Sequence, residues 1–285
     1  MGNIQLFIER ESHLNMRVYF TLFLIIISSI NFFAQDLNYN IEENISYYPT
    51  NESGLTTYQK AQCRLDIYWP TQKKEVPVII WFHGGGLTGG SKEIPQALKD
   101  KGYCIVGVGY RLSPQVKAAT SIDDATAAIA WVFKNIARYN GNSKSIFVSG
   151  HSAGGYLALM SVMDKSRLKS YDIDANKVAG LIPFSGHTIT HFTIRAEHGI
   201  PGEQPIIDKF APLYYVRKDA PPTLLITGDR ELEMLGRYEE NVYFFRMMKV
   251  AGQEKIKHYE MQGYGHNMTS PAFPLLIDFI EKFKE

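Results

Sequence analysis

The strongest constraint on the fold is a regular alternation of two kinds of segment over about 220 residues. Short continuous apolar runs, such as VPVIIWF at 76–82, SIFVSG at 145–150 and TLLITG at 223–228, are typical of strands buried on both faces. Between such runs, residues 121–141 repeat apolar side chains at three- and four-residue steps, which predicts a helix that Ser121 caps. The alternation predicts an α/β fold with a doubly wound, mostly parallel central sheet and helices on both faces.

Length and composition suit one large domain. The 285 residues are 45% hydrophobic and 21% charged, which is enough apolar material for a substantial core. We expect residues 35–285 to form a single domain with an insertion at about 187–218, where turn residues interrupt the alternation. The formal net charge of +1 excludes the strongly basic class of nucleic-acid-binding proteins.

The first 34 residues form a predicted leader. Arg17 precedes a stretch without charge, Val18 to Ala34, which is the pattern of a signal peptide, and Met16 is a candidate for the true start. A permanent anchor is the alternative, although the apolar run is slightly short for a membrane span. We therefore expect a periplasmic or secreted protein, with no stable membrane span once the signal is removed.

The cysteines and histidines do not predict a metal or cofactor site. Cys63 and Cys104 are the only cysteines, and we favour two reduced, structural thiols over a disulfide. His187, His191 and His198 lie close together in the insertion, but no acidic or cysteine partner is arranged with them. The sequence therefore predicts no metal and no cofactor.

The stretch Gly150-His151-Ser152-Ala153-Gly154 matches the G-x-S-x-G pattern of a nucleophile elbow. A sharp strand-to-helix turn brings the residues two positions either side of the serine too close for side chains, so both must be glycine. The pattern alone is weak, but here an apolar strand precedes it and an apolar helix follows. We predict that Ser152 is a nucleophile.

A second glycine-rich stretch, His83-Gly84-Gly85-Gly86, follows the predicted strand at 76–82. Glycines let backbone N–H groups approach a carbonyl oxygen, as an oxyanion hole requires. The alternatives are a plain turn or a phosphate-binding loop. The latter needs a Lys-Ser/Thr pair after the glycines, and Ser91-Lys92 has the wrong order and place.

His266 is the predicted base for Ser152. It lies in GYGHNMTS, after the last predicted strand, at the edge where the carboxyl ends of parallel strands meet. His258 lies within a strand, and His151 lies inside the elbow itself. The order serine, acid, histidine along the chain is that of one class of hydrolases.

These motifs resemble the α/β-hydrolase superfamily, and look closest to its hormone-sensitive-lipase-like and bacterial feruloyl and acetyl-xylan esterase branch. The matching stretches include VIIWFHGGG, VGVGYRLSP, SIFVSGHSAGG, PTLLITGD and GYGHNM. The resemblance implies a two-step acyl transfer by Ser152 and His266, with the oxyanion held by N–H groups of Gly85, Gly86 and Ala153. We add His83, His151 and His187 as candidate substrate-binding residues.

The acid that orients His266 is expected after the strand TLLITG, where Asp229, Glu231 and Glu233 are candidates. Aspartate is the commoner triad acid, which favours Asp229. The usual loop position in related hydrolases, three residues beyond the end of the strand, favours Glu231. We predict Glu231, with Asp229 as a turn residue that hydrogen-bonds the backbone.

The function predicted from the sequence is an exported serine carboxylesterase. We expect it to act on acetyl or feruloyl esters, as small molecules or on plant polysaccharide. An amidase such as a formamidase, or a small peptidase, would use the same triad, and a lipase-like short-chain esterase is a further alternative. A catalytically silent binding protein is the rival class, but such proteins usually lose a triad residue.

Overall fold

The computed structural model describes residues 37–49, 54–234 and 236–284. One eight-stranded sheet runs through this part of the chain. Its strands are β1 (Tyr39–Ser46), β2 (Arg64–Pro70), β3 (Val76–Phe82), β4 (Cys104–Val108), β5 (Gly141–His151), β6 (Gly180–Phe184), β7 (Thr223–Gly228) and β8 (Ile256–Met261). The predicted leader at residues 1–34 lies outside the described residues.

The sheet is mostly parallel, as predicted. Its order is β1-β2-β4-β3-β5-β6-β7-β8, and the pairings from β4 to β8 are all parallel. Two pairings of this sheet are antiparallel, that of β1 with β2 and that of β2 with β4. The carboxyl ends of β3, β5, β6, β7 and β8 therefore lie along one edge, where ligands bind in open α/β sheets.

Helices cover both faces of this sheet. They are α1 (Thr57–Gln62), α2 (Ala118–Asn135), α3 (Ala153–Met163), α4 (Lys165–Lys169), α5 (Phe192–Glu197), α6 (Arg237–Val250) and α7 (Thr269–Phe283). Buried residues of α2, α3 and α6 share one hydrophobic core, whereas those of α7 belong to a second. The doubly wound α/β fold is thus confirmed.

Strand β3 shows how the sheet separates the two cores. Val78, Ile80 and Phe82 pack into the core that contains α2 and α3, and Ile79 and Trp81 pack into the core that contains α7. All seven residues of this strand are buried. The continuous apolar run in the sequence reflects this double burial, since side chains alternate between the two faces.

The start of α2 differs from the prediction. The helix begins at Ala118, so Ser121 lies inside its first turn and does not cap it. The Ser121 hydroxyl donates instead to the carbonyl of Arg111, at 2.7 Å. A serine that bonds a neighbouring loop does not mark a helix start, and the true N-cap, Lys117, offers no side-chain hydrogen bond.

Asp124 in α2 is buried and forms an ion pair with Arg111, with 2.6 Å between Oδ1 and Nη2. We expect Asp124→Asn to lower the free energy of unfolding by about 3 kcal/mol, because it leaves a partly buried guanidinium without its counter-charge. Urea unfolding monitored by circular dichroism measures this. The control is Asp123→Asn, since that side chain is 66% exposed and exposed ion pairs contribute about 1 kcal/mol or less. Equal effects of both substitutions would contradict the prediction.

The two cysteine thiols are buried and free. This agrees with two reduced thiols, and burial raises the pKa of Cys63 to about 12, which makes that thiol unreactive. Among the described residues, no helix is both long enough and apolar enough to span a membrane.

Candidate active site

Ser152 occupies a strained turn between β5 and α3. Its φ and ψ angles are 56° and −114°, a conformation that residues with a side chain rarely adopt. A Cβ on Gly154 would stand 2.0 Å from the carbonyl oxygen of Phe82, and a Cβ on Gly150 would stand 2.6 Å from the Gly154 carbonyl carbon. Both glycines are therefore required by contact with backbone, as the elbow pattern predicts.

His266 reaches Ser152 from the loop between β8 and α7. Its Nε2 lies 2.8 Å from Ser152 Oγ, and its Nδ1 lies 2.6 Å from Glu233 Oε1. An anionic carboxylate only accepts hydrogen bonds, so Nδ1 carries the proton and Nε2 faces the serine hydroxyl with a lone pair. The structure brings Ser152 and His266 together as the sequence predicts, and adds Glu233 as the third member.

The Glu233 carboxylate is fully buried and accepts four hydrogen bonds. Oε1 accepts from His266 and from the Met234 N–H, and Oε2 accepts from the Gly228 N–H and from the Ser185 hydroxyl. Burial raises the pKa of this carboxyl, but the bonds from His266, Ser185 and Met234 outweigh burial and lower the pKa to about 2. Glu233 is therefore ionised at neutral pH.

The prediction that Glu231 is the acid is wrong. Glu231 is exposed, and the carboxylate on His266 belongs to Glu233. The reason is a tight turn, in which the N–H groups of Leu232 and Glu233 both donate to the Asp229 carbonyl. Because of this turn, the side chain that reaches His266 is that of Glu233, five positions after Gly228. The prediction expected it three positions after Gly228, at Glu231.

Asp229 is a turn residue, as predicted. Its Oδ1 accepts from the Glu231 N–H and its Oδ2 from the Gly263 N–H, both at 2.9 Å. Its own N–H donates to the Tyr264 carbonyl at 2.7 Å. Asp229 thereby ties the loop that carries Glu233 to the loop that carries His266.

The glycine loop after β3 passes beside the nucleophile. A Cβ on Gly84 would stand 3.6 Å from Ser152 Cβ, so the backbone at this point lies alongside the serine. Gly85 and Gly86 follow with φ angles of 113° and 63°, which suit glycine. Ala153 is the first residue of α3, where N–H groups have no partner within the helix. The roles of Gly85, Gly86 and Ala153 as oxyanion donors stay a prediction that this placement favours.

Two of the histidines predicted to bind substrate instead hold backbone in place. The buried ring of His83 stacks on Tyr110, and its Nδ1 lies 2.7 Å from the Gly84 carbonyl oxygen. His151 Nε2 lies 2.8 Å from the His266 carbonyl oxygen, and burial lowers the pKa of His151 to about 4. These rings fix the glycine loop and the His266 loop, which are positioning roles that the sequence does not reveal.

His187 lines a cavity of about 720 Å³ beside the triad. Its Nε2 accepts from Arg237 Nη2 and its Nδ1 donates to Glu240 Oε1, both at 2.7 Å. Burial and the neighbouring Arg237 lower the pKa of His187 well below its usual value, so the ring is neutral. The lining is mostly apolar but includes two arginines; it comprises His187, Ile189, Phe192, Arg195, Ala196, Gly202, Glu203, Pro205, Ile207, Met234, Gly236, Arg237, Glu239, Glu240 and Tyr243.

Two histidines of the insertion, His187 and His191, are in edge-to-face contact with ring centroids 4.8 Å apart, but they do not form a set of metal ligands with His198. Both ring nitrogens of His187 are bonded, as described above, and His198 Nδ1 lies 2.7 Å from the Ile194 carbonyl oxygen. Within residues 37–49, 54–234 and 236–284, no three histidine, cysteine or acidic side chains are grouped so as to hold a metal ion.

The sequence matches one protein-family model. Residues 65–234, more than half of the chain, match the model described as BD-FAE. This match starts in β2 and ends just after Glu233, so it includes the glycine loop, the elbow and the acid.

Two curated relatives carry esterase names. One is a probable isoprenylcysteine alpha-carbonyl methylesterase of Oryza sativa, 29% identical over 55% of this chain and 42% of that protein. Another is the esterase LipQ of Mycobacterium tuberculosis, 27% identical over 68% of this chain and 50% of that protein. The chain thus spans half, or less, of the length of these relatives.

Solved structures show the same fold. A truncated carbohydrate esterase from gut microbiota superposes with a TM-score of 0.67 at 22% identity, over 87% of this chain and 98% of that chain. A thermophilic esterase of Thermogutta terrifontis gives a TM-score of 0.64 at 20% identity, over 87% and 92%.

Proposed function

Because the chain belongs to the BD-FAE family, in the hormone-sensitive-lipase-like branch of the α/β hydrolases, we propose that it is a serine carboxylesterase. The observation that carries the proposal is the continuous chain of contacts from Ser152 Oγ through His266 to the buried Glu233 carboxylate. This arrangement supplies a nucleophile, a base and an ionised acid in the order that acyl transfer needs.

The acylation step follows from these contacts. His266 Nε2 accepts the hydroxyl proton as Ser152 Oγ attacks the ester carbonyl carbon, and Glu233 stabilises the imidazolium that forms. The carbonyl oxygen becomes an oxyanion, for which we propose N–H donors from Gly85, Gly86 and Ala153. His266 then returns the proton to the departing alcohol oxygen as the bond to the carbonyl carbon breaks.

Deacylation repeats the sequence with water. His266 removes a proton from a water molecule, whose oxygen attacks the acyl carbon, and then protonates Ser152 Oγ as it leaves. Glu233 keeps the same ring nitrogen bonded in both steps, so the base needs no reorientation. The strained elbow holds Ser152 in position throughout, because the backbone of Phe82 packs directly against Gly154.

We further propose that the substrates are acetyl or feruloyl esters, including those on plant polysaccharide, and that the protein is exported. The name of one structural neighbour, a carbohydrate esterase, supports the carbohydrate part. The apolar stretch from Val18 to Ala34 supports export to the periplasm or the medium. The cavity beside the triad has the size of a site for a small ligand, which suits a ring-sized group.

A substrate panel tests this proposal. We expect 4-nitrophenyl acetate and methyl ferulate to be hydrolysed with kcat/KM at least about tenfold above that for 4-nitrophenyl decanoate, because a long alkyl chain in this cavity would lie against its charged side chains and desolvate them. Release of acetate from acetylated xylan tests the polysaccharide part. N-formylkynurenine and a peptide anilide are the amide arms, and the Ser152→Ala variant gives the background rate. Preference for the decanoate would overturn the substrate class, and faster amide turnover would overturn the esterase.

A further inference from the structure

Arg195 is a buried cation in the wall of the cavity beside the triad. It lies on α5 and is only 3% exposed. Its Nη1 donates to the carbonyl oxygens of Gly202 and Gln204, which accounts for one end of the guanidinium. Its Nε is buried, and among the described residues this atom has no hydrogen-bond partner. A buried guanidinium that is only partly hydrogen-bonded gains from a further acceptor bound beside it.

The charge of Arg195 also lacks a close counter-charge. The other arginine of the cavity, Arg237, also has an Nε without a hydrogen-bond partner among the described residues, but this atom lies 2.8 Å from the Glu240 carboxylate. Within the described part of the chain, no carboxylate lies at ion-pair distance from Arg195. Burial lowers the pKa of Arg195, and the more distant charges of Glu240 and Glu203 oppose this only in part.

The cavity adjoins the reaction centre on two sides. A Cβ on Gly86 would stand 3.3 Å from the Phe192 ring, and the Thr193 hydroxyl donates to the Gly86 carbonyl. Phe192 lines the cavity and lies one helical turn before Arg195. On the other side, Met234 lines the cavity directly after Glu233. Phe192 and Met234 thus connect the cavity to the glycine loop and to the triad acid, whereas Ser152, Glu233 and His266 do not themselves line it.

We propose that this cavity binds a carboxylate of the substrate and that Arg195 is the residue that recognises it. The proposal rests on the proposed esterase function and names its substrate class: esters that carry one further carboxylate, such as acetylated acidic sugars or half-esters of dicarboxylic acids. The apolar lining accommodates the carbon skeleton. The exposed carboxylates of Glu203 and Glu239 at the same cavity repel a doubly charged group, which favours a carboxylate over a phosphate.

Matched pairs of substrates test the inference and locate the carboxylate. 4-Acetoxybenzoate and its methyl ester differ in charge on the alcohol side, whereas monomethyl and dimethyl adipate differ on the acyl side. For one of these pairs, we expect the charged member to have the higher kcat/KM. In Arg195→Met, the ratio of charged to neutral kcat/KM should fall by about 10- to 100-fold, which is the effect of one charged hydrogen bond. If Arg195→Met left the ratio of charged to neutral kcat/KM unchanged for both pairs of substrates, the inference would be overturned.

Arg217→Met is the matched control. Arg217 also donates to backbone carbonyls, those of Val162 and Met163, but it does not line the cavity. Its loss should leave the ratio unchanged, and an equal fall in both variants would show a general loss of packing and contradict the proposal. Glu203→Gln tests the same site while Arg195 is retained. It should raise the ratio of charged to neutral kcat/KM by about two- to fivefold, because it removes a carboxylate that repels the substrate.

A binding measurement separates this inference from the proposed function. Calorimetry of benzoate with Ser152→Ala, and with the double variant that adds Arg195→Met, detects carboxylate binding without turnover. If benzoate binds only when Arg195 is present, and the unmodified protein cleaves no ester, the esterase proposal fails and the carboxylate site stands. If esters are cleaved by the unmodified protein but charge has no effect on kcat/KM or binding, the inference fails and the esterase stands.

Discussion

Ser152→Ala is expected to lower kcat/KM for 4-nitrophenyl acetate by about 10⁴- to 10⁶-fold. The hydroxyl oxygen lies 2.8 Å from the base His266, and its removal leaves water as the nucleophile. The backbone and Cβ of the elbow are retained, so the fold and the neighbouring N–H groups stay in place. Initial rates from the absorbance of 4-nitrophenolate measure the loss, and circular dichroism verifies that the variant is folded.

The control for this experiment is Ser161→Ala. Ser161 is a buried serine on the same helix, α3, and its hydroxyl bonds only to Thr126 among the described residues. The substitution removes the same atom at a site away from the triad, so the rate should change less than about threefold. If Ser152→Ala retained a tenth or more of the activity, the serine esterase mechanism would be abandoned.

The elbow was predictable because its constraints are local. Gly150 and Gly154 lie within five residues of each other, and the pattern is visible in that short stretch, although Phe82 of the neighbouring strand β3 also contributes to the backbone contacts that forbid their side chains. The strand before and the helix after the turn are visible in the sequence as apolar patterns. His266 was predictable for a related reason, since only one histidine follows the last strand at the carboxyl edge of the sheet.

The acid was not predictable because its assignment depends on contacts from distant parts of the chain. Asp229, Glu231 and Glu233 all lie close enough to the end of β7 to be the acid, and the turn around the Asp229 carbonyl, together with partners from other loops, decides which side chain points inward. The buried carboxylate is then satisfied by the Ser185 hydroxyl, which comes from the end of β6. The one signal of this partner in the sequence is a serine directly after the strand GLIPF. That serine does not indicate which of the three acidic residues it bonds.

The two arginines of the cavity were missed for a different reason, although His187 in the same lining was singled out. Arg237 belongs to a segment rich in charged residues and Arg195 to a segment rich in polar and turn residues, and the sequence alone presents both as solvated surface. Arg237 is buried where the start of α6 lies beside the end of β6 and bonds to the Ser185 carbonyl and to His187, whereas Arg195 is buried where α5 meets the carbonyls of Gly202 and Gln204. Such burial is a property of tertiary packing, so hydrophobic periodicity does not report it.

The second large expected effect concerns the acid: Glu233→Gln should lower kcat for 4-nitrophenyl acetate by about 10³- to 10⁴-fold, with KM little changed. All four groups around the carboxylate donate hydrogen bonds to it. An amide NH₂ group cannot accept a hydrogen bond. Whichever way the glutamine amide is turned, its NH₂ group therefore faces two of the four hydrogen-bond donors. When that group faces His266, the ring must accept at Nδ1, which places the Nε2 proton against Ser152 and removes the base.

Glu231→Gln is the matched control, since it makes the same chemical change two residues away on an exposed side chain. It should alter kcat less than about threefold, because exposed substitutions rarely affect a buried site. Asp229→Asn should cost stability through its two backbone bonds while leaving the base intact, so thermal melting separates it from Glu233→Gln. A larger loss of kcat in Glu231→Gln than in Glu233→Gln would return the assignment to Glu231, and would mean that the buried carboxylate only supports the loop.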